Sequence, residues 1–299
     1  MSEKNFMTML QAKWDEGKFV CVGLDSELSK IPESAERSND ERTLFNFNRR
    51  IIDATKDLVC AYKPNIAFFE AEPDIGVYAL ERIIKHIRRV APYVPVILDA
   101  KRGDIGNTNL GYVRAAFDYL CANAVTVHPY LGQEAMKPFL DRADKGIFVL
   151  CRTSNPGAGE FQDLEVRSPV AAGAVHVVPT SENSTPLYQY VARQVANEWN
   201  ANGNCALVVG APYPEDLGKV RSIVGDMPIL IPGVGFQQKD TPLEEQVRLV
   251  VTNGKNNQNQ GMIINSSRGI IFASSGPDFA EAARRETQKL HDAITLALG

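Results

Sequence analysis

Three ionisable side chains lie within six residues, directly after a segment that has the composition of a buried strand. The apolar run Val94–Leu98 is followed by Asp99, Lys101 and Asp104. Side chains two positions apart on a strand share a face, so Asp99 and Lys101 should project together from the strand's carboxyl end. Burial of two carboxylates and an ammonium group is costly unless the charges pair. The arrangement therefore indicates an active site rather than part of a hydrophobic core.

The neighbours of the lysine restrict its chemistry. Negative charge on both sides favours the ammonium form, so Lys101 is predicted to donate a proton rather than to form a Schiff base, which requires a neutral amine. The two carboxylates could instead hold Mg²⁺. Asp104 by itself could be the N-cap of a helix, because a helical pattern begins just after it. Lys63, at the end of another apolar run, adds a second cation that could reach the same site.

Two later segments predict a phosphate site. Gly233 and Gly235 follow one apolar run and allow backbone N–H groups to approach an anion closely. Arg268 follows the last apolar run and offers a bidentate guanidinium group. The loops after the seventh and eighth strands of (β/α)₈ barrels often bind phosphate. His128 also follows an apolar run, and it is either catalytic or a structural side chain with satisfied hydrogen bonds.

The elements that must position these groups alternate along the chain. Short apolar runs predict eight strands: Phe19–Leu24, Cys60–Lys63, Val94–Leu98, Ala124–Val127, Ile147–Cys151, Cys205–Val209, Pro228–Ile231 and Gly261–Ile264. Amphipathic patterns predict these helices: Thr43–Leu58, Asp74–Val90, Leu110–Ala122, Leu187–Asn202, Leu243–Asn253 and Pro277–Leu298. We therefore predict an α/β fold, a (β/α)₈ TIM barrel of one domain over residues 1–299. A doubly wound open sheet is the alternative, but the turn Gly23–Ser26 lacks the glycine pattern expected after its first strand.

A barrel would collect the polar residues at one end, because its active sites lie at the carboxyl ends of the strands. Asp25 and Lys63 come at the ends of the first two runs, and Ser154 follows the fifth. The connection after the fifth strand, at about 155–186, is too long for a simple turn and contains a β-rich segment, Ala174–Val178. We interpret this connection as a lid over the site, the alternative being a disordered insertion.

The composition of the chain restricts the binding partners and the cellular compartment that we expect for it. The chain is 44% hydrophobic and 23% charged, with a formal net charge of −4 and no block of lysine and arginine. Neither nucleic acid nor an anionic membrane surface is therefore an expected partner. No apolar run approaches the roughly 20 residues of a membrane span. Five scattered cysteines without a C-x-x-C pair predict reduced thiols in a cytoplasmic protein.

The segment Ile97–Thr108 resembles the signature of the orotidine 5′-phosphate decarboxylase family. It fits the pattern D-x-K-x-x-D-I-G-x-T at every position. The resemblance covers all but the extreme termini and continues through Asp25, Lys63 in Tyr62–Asn65, Thr153–Gly157, Pro232–Gln237 and Arg268. The longer loops and the segment Lys63–Glu70 are similar to the longer subgroup found in mycobacteria and some other bacteria. The connection 155–186 and the residues after Gln237 depart from the shorter members.

The resemblance implies a homodimeric barrel that converts orotidine monophosphate to UMP and CO₂ with neither metal nor cofactor. Lys101 would protonate C6 of the pyrimidine as the carboxylate leaves, with Asp99 beside that carboxylate. Residues implied to reach into the partner subunit's site are Asp104, Ile105 and Thr108. Substrate contacts within the subunit are implied for Asp25 and Lys63 at the ribose, Ser154 at the pyrimidine, and Gln237 and Arg268 at the phosphate.

Two alternatives remain open at this point. Sister enzymes that cleave or decarboxylate sugar phosphates through a Mg²⁺-held enediolate share the D-x-K-x-x-D run. They place an acidic metal ligand at the end of strand 2, where this chain has Lys63. A non-catalytic phosphosugar-binding barrel would be expected to lose part of the charged set, whereas here Lys63, Asp99, Lys101 and Asp104 are all present.

Overall fold

The fold is organised around eight parallel strands, seen in a computed structural model that describes residues 5–35, 39–167, 184–235 and 241–299. The strands are β1 (Val20–Leu24), β2 (Val59–Pro64), β3 (Ile97–Arg102), β4 (Ala124–Val127), β5 (Gly146–Arg152), β6 (Cys205–Val209), β7 (Ile229–Pro232) and β8 (Met262–Ser266). Their hydrogen-bonded order is β2-β1-β8-β7-β6-β5-β4-β3. Isolated parallel bridges, Tyr62 with Val96 and Asn65 with Asp99, join β2 to β3 and close the barrel. The predicted TIM barrel is confirmed.

Helices surround the strands. Their bounds are Phe6–Asp15, Asp40–Thr55, Ala67–Glu70, Gly76–Val90, Gly106–Val113, Gly132–Leu140, Gly159–Gln162, Leu187–Gln194, Pro214–Val224, Leu243–Gly254, Arg268–Ile271 and Phe279–Leu298. Two of them continue as π-helical segments, Arg114–Tyr119 and Val195–Trp199. Short 3₁₀ turns cover Leu28–Lys30, Glu33–Ala35 and Pro156–Ala158, and an antiparallel pair joins Glu165–Arg167 to Ser184–Pro186. None of the helices in the described ranges is both long enough and apolar enough to cross a bilayer.

The N-terminal helix Phe6–Asp15 covers the amino end of the barrel. Phe6 packs edge-to-face on Phe148 of β5, with the ring centroids 5.6 Å apart. Gly146 permits this approach, since a Cβ there would lie 2.4 Å from the Phe6 ring. The indole Nε1 of Trp14 donates a hydrogen bond to the Met262 carbonyl at the start of β8, at 2.8 Å. The carboxyl end of the barrel is therefore the end that remains open to a ligand.

Three helices of eight or more residues were not among those predicted: Phe6–Asp15, Gly132–Leu140 and Pro214–Val224. Three helices of four residues were not predicted either: Ala67–Glu70, Gly159–Gln162 and Arg268–Ile271. Pro138 lies inside Gly132–Leu140, and an internal proline removes a backbone donor, which normally argues against a helix. Pro214, in contrast, occupies the first helical turn, where proline favours the start of a helix. The position of Pro214 could therefore have been used to predict the helix Pro214–Val224 from the sequence.

Candidate active site

A cavity of about 420 Å³ opens at the carboxyl ends of the strands. The predicted site residues that line it are Asp25, Lys63, Asp99, Lys101, Ser154, Gly233 and Arg268. Polar lining residues outside the predicted set are Thr126, Thr153, Asn155, Gln162, Asn265, Ser266 and Ser267. Side chains from opposite sides of the barrel thus meet at one cavity, as the positions of the strand ends predicted.

A chain of alternating charges lines the cavity, and two of its members, Lys63 and Asp99, are buried. The Asp99 carboxylate lies between two lysines, with Oδ2 3.1 Å from Lys63 Nζ and Oδ1 2.7 Å from Lys101 Nζ. Lys63 Nζ also lies 3.9 Å from Asp25 Oδ1. The side chains of Asp99 and Lys101 therefore project together, as predicted from their spacing.

The mutual attraction of these charges outweighs the cost of removing them from water. Burial alone would raise the pKa of the Asp99 carboxyl, but the ammonium groups of Lys63 and Lys101 hold that pKa well below its usual range. Burial alone would lower the pKa of Lys63, but the carboxylates of Asp99 and Asp25 hold it above the usual lysine value. Asp99 and Lys63 are therefore both ionised throughout the neutral pH range.

The backbone at Lys101 is not that of a regular strand. Lys101 has φ +47°, a left-handed conformation that is uncommon for residues other than glycine. The β3–β4 register shifts between Leu98 and Arg102, which marks an irregularity in the strand. Asp99 and Lys101 consequently meet through a local bend of the chain, and not through the regular alternation from which their proximity was predicted. Backbone strain of this kind is concentrated at functional sites.

His128 packs against the end of β3 and is not among the residues that line the cavity. Its backbone N–H donates to the Arg102 carbonyl at 2.9 Å. A Cβ at Gly103 would lie 2.7 Å from the His128 ring, so only glycine allows this contact. Of the two interpretations of His128, the structure favours the structural one.

Asp104, Ile105 and Thr108 lie on the rim of the barrel, outside the lining of the cavity in their own subunit. Ile105 and Thr108 are exposed, and Asp104 is partly exposed. The helix begins at Gly106 with Ile105 at its N-cap position, so Asp104 is not the N-cap. The Asp104 carboxylate instead accepts a hydrogen bond from the N–H of Ile105 at 2.7 Å.

Asn109 holds this turn in place and was not predicted as a site residue. Its buried side chain accepts from the Asp104 N–H at 2.9 Å and donates to the Asp104 carbonyl. It also donates to the Ala135 carbonyl at 2.6 Å, which ties the turn to helix Gly132–Leu140. A buried asparagine within a helical pattern is the only signal in the sequence for such a role.

The loop after β7 has the backbone conformation that its glycines allow. Gly233 and Gly235 have φ +108° and +83°. The Gly235 N–H donates to Gln246 Oε1 at 2.9 Å, so this N–H is already engaged rather than free to bind an anion. Gln246 also donates to the Thr241 carbonyl at 2.7 Å and so holds both ends of the loop. Gln237 lies outside the described residues.

The predicted lid begins with a folded segment beside the cavity. Gln162 accepts from the Thr153 N–H and donates to the Thr153 hydroxyl, both at 2.9 Å. Arg152, buried at the end of β5, forms ion pairs with Asp163 of this segment at 3.2 Å and with Asp216 at 3.3 Å. The β-rich segment Ala174–Val178 lies outside the described residues.

The cysteines are free thiols, and four of the five are buried. Burial raises the pKa of the Cys21 thiol, which interacts electrostatically with Lys63, Asp25 and Asp99, to about 12. A thiol with such a pKa supplies almost no thiolate at neutral pH and is a poor nucleophile.

Comparison with known proteins decides the family. The sequence profile of the orotidine 5′-phosphate decarboxylase / HUMPS family matches residues 18–285. The chain belongs to this family.

Relatives of the decarboxylase family match almost the whole chain. A protein of Cellvibrio japonicus (strain Ueda107) named orotidine 5′-phosphate decarboxylase is 43% identical over 294 residues, which cover 98% of this chain and 99% of that protein. A protein of the same name from Ralstonia pickettii (strain 12J) is 45% identical over 290 residues, or 97% of each chain. The solved structure of Leishmania donovani OMP decarboxylase has a TM-score of 0.75 and 32% identity, and the match covers 96% of this chain and 99% of that one.

The end of β2 bears on the two catalytic chemistries left open by the sequence. Mg²⁺-dependent sister enzymes would place an acidic metal ligand there, and this chain places Lys63. Its ammonium group lies 3.1 Å from Asp99 and 3.9 Å from Asp25. The carboxylates that could hold a divalent cation are thus already paired with an ammonium group. Within the family, this arrangement favours the decarboxylase over the metal-dependent lyase.

Proposed function

We propose that this protein is an orotidine 5′-phosphate decarboxylase, a carboxy-lyase that converts orotidine monophosphate to UMP and CO₂ in pyrimidine biosynthesis. The observation that carries the proposal is the chain Lys63–Asp99–Lys101 in the cavity, with 3.1 and 2.7 Å between the successive charged atoms. Such a set places a protonated lysine beside the substrate without requiring a metal or a cofactor.

Lys101 is the proposed proton donor. The bond from C6 of the pyrimidine to its carboxylate breaks, CO₂ leaves, and the electron pair stays on C6. The Lys101 ammonium stabilises this charge as it develops and then transfers a proton from Nζ to C6. The Lys101 side chain is 50% exposed, so the amine can regain its proton from solvent after UMP has formed.

Asp99 and Lys63 are proposed to hold the proton donor in place. Asp99 binds the Lys101 ammonium through Oδ1, while Lys63 binds the other carboxylate oxygen. Because its two lysine neighbours keep Asp99 ionised, the negative charge that orients Lys101 persists over the working pH range. Preorganised charges of this kind need no rearrangement at the moment of reaction.

The remaining groups of the cavity are proposed to bind the unreactive parts of the substrate. Asp25 and Lys63 would hold the ribose hydroxyls, and the buried Asp25 Oδ1, which accepts no hydrogen bond from the described residues, is suited to accept one from a hydroxyl. Ser154 would contact the pyrimidine. The phosphate would be bound by Gly233, Gln237 and Arg268, whereas Gly235, whose N–H is taken by Gln246, would only shape the loop. Binding energy from these remote groups can lower the barrier at the reacting carbon.

We also propose a homodimer in which the rim of one subunit completes the site of the other. The three rim residues Asp104, Ile105 and Thr108 do not line the cavity of their own subunit, and Ile105 is 60% exposed. Leu110 and Tyr130 add further exposed apolar surface to this part of the chain, at 50% and 87%. A twofold dimer would cover the same rim on both subunits.

Three further assignments go with this function. Among the described residues, buried apolar side chains from Phe6 to Ile294 belong to one core cluster, which supports a single domain over residues 1–299. The long connection after β5 supports membership of the longer, mycobacterial-type subgroup. The five free thiols support action in the cytoplasm, where cysteines stay reduced.

Incubation of the purified protein with orotidine monophosphate tests the activity. We expect the ultraviolet absorbance change that accompanies conversion to UMP, at a rate unaltered by EDTA. A rate lost with EDTA and restored by Mg²⁺ would instead identify the metal-dependent sister chemistry. No conversion by a folded protein that still binds UMP would identify a non-catalytic phosphosugar-binding barrel.

A further inference from the structure

Thr126 has an unusual set of hydrogen bonds below the catalytic charges. It lies in the middle of β4, is buried, and lines the cavity. Its hydroxyl oxygen accepts the N–H of Ala100 at 3.0 Å and the N–H of Lys101 at 2.9 Å. The same hydroxyl donates to Asp99 Oδ1 at 2.9 Å. One side chain thus contacts three successive residues of β3.

This arrangement uses the full hydrogen-bonding capacity of a hydroxyl group, which has one donor and two acceptor positions. In a regular strand, successive N–H groups point in opposite directions, so they cannot share one acceptor. They do so here because β3 leaves its ladder between Leu98 and Arg102. Thr126 therefore satisfies two backbone donors that the irregularity of β3 removes from the sheet.

The same contacts stabilise the unusual conformation of Lys101. A non-glycine residue at φ +47° persists only where its surroundings hold it there. The Lys101 N–H bonds to Thr126, and its Nζ bonds to Asp99 Oδ1, which Thr126 also holds. One hydroxyl group on the neighbouring strand therefore holds the Lys101 backbone N–H directly and the Lys101 ammonium through Asp99.

We propose that Thr126 is a positioning residue for the decarboxylation, because its hydroxyl aligns the backbone of Lys101 and the carboxylate of Asp99 as one unit. The proposal rests on the function proposed above. Thr126 takes no part in proton transfer. Its loss would let the ammonium group move relative to C6, and a displacement of about 1 Å can lower a rate by about 100-fold.

Two pairs of variants isolate the hydroxyl from the shape of the side chain. Thr126 and Thr126→Val have almost the same shape, as do Thr126→Ser and Thr126→Ala, and within each pair only the hydroxyl differs. We expect kcat to be about 10–100-fold lower without the hydroxyl in both pairs. KM for orotidine monophosphate should stay within about threefold, because the ribose and phosphate contacts are unchanged.

The control is Thr287→Val. Thr287 is also fully buried, and its hydroxyl donates to the Ala283 carbonyl within helix Phe279–Leu298, outside the cavity lining. This variant should keep the wild-type kcat. Calorimetric titration with UMP gives the number of intact sites in every preparation, so that kcat is expressed per site and a loss of folded protein is not counted as a loss of catalysis.

The outcomes separate this inference from the proposed function. A low kcat per site in Thr126→Val, restored in Thr126→Ser, supports the positioning role. Wild-type kcat in Thr126→Val, or equal losses in Thr126→Ser and Thr126→Ala, would overturn it and leave the decarboxylase intact. If Thr126→Val does not fold, the serine–alanine pair decides. Absence of turnover in the wild-type protein would count against the proposed function itself.

Discussion

Lys63 and Asp99 form a buried ion pair across the weakest seam of the barrel, with Nζ 3.1 Å from Oδ2. Every other pair of neighbouring strands is joined by a ladder of two or more residue pairs, whereas β2 and β3 are joined by isolated bridges, one of which is Asn65 with Asp99. The pair therefore belongs both to the proposed catalytic set and to the closure of the barrel. Substitutions here should change stability as well as activity.

Asp99→Asn should lower the free energy of unfolding by about 3 kcal/mol at neutral pH, because it leaves the buried Lys63 ammonium without its nearest carboxylate. Asp57→Asn is a suitable control, since Asp57 and its partner Arg284 are both largely exposed. The control should cost no more than about 1 kcal/mol. Urea unfolding of both variants and the wild type measures the difference, and equal losses would show that the buried pair has no special role.

The stability that Asp99 contributes should depend on pH. Because the pKa of Asp99 is lowered in the folded protein, its contribution is complete above the pKa of an unfolded aspartate and falls as the pH drops towards the folded value. The gap between wild type and Asp99→Asn should therefore shrink by roughly 1 kcal/mol between about pH 6 and pH 3, given an unfolded pKa near 3.9. A gap that widens with acid would contradict the lowered pKa.

Lys101→Ala should remove nearly all turnover while leaving the fold intact. The ammonium is the proposed proton donor, and its side chain is 50% exposed, so little packing is lost. We expect kcat to fall by at least about 1,000-fold, within the range for one acid–base group. Lys137→Ala, which removes an exposed lysine outside the cavity lining, should keep the wild-type rate. Retention of more than about a thousandth of kcat by Lys101→Ala would disprove the role.

The strands could be predicted from the sequence because each is buried on both faces and therefore forms a continuous apolar run. The exception is the end of β3, where the strand continues through charged residues to Arg102. Apolar composition ends at Leu98 and cannot show this continuation. The helix Gly132–Leu140 was missed for a different reason, since Pro138 interrupts the pattern, while the helix in the fold buries Ala135, Met136, Phe139 and Leu140.

The charged residues of the site could be predicted because strand ends in a barrel converge, which brings Asp25, Lys63 and Asp99 together from distant parts of the chain. The roles of Thr126 and Asn109 could not be predicted from the sequence. Each is an ordinary polar residue in its own element, and its role depends on which backbone groups the fold places beside it. Sequence spacing contains no information about such contacts.

Arg268→Ala should chiefly weaken binding of the substrate phosphate. Loss of a charge-assisted, bidentate contact should cost about 2–4 kcal/mol in kcat/KM for orotidine monophosphate. The phosphate-free nucleoside orotidine should react equally well with variant and wild type, because it lacks the group that Arg268 binds. Arg248→Ala is the matched control, an exposed arginine that pairs with Glu245 outside the cavity lining. Equal losses on both substrates would count against a phosphate role for Arg268.

Complementation between two inactive variants tests whether Asp104 acts in the partner's site. Lys101→Ala and Asp104→Ala proteins are mixed under conditions that exchange subunits, and exchange is verified by mass spectrometry of tagged chains. If Asp104 acts in trans, one site of each heterodimer carries both lesions and the other carries neither. About half of the wild-type activity per heterodimer should then return, or about a quarter for a statistical mixture. If Asp104 served its own subunit, each heterodimer site would keep one lesion and no activity would return. Exchange without recovery would therefore rule out the shared site.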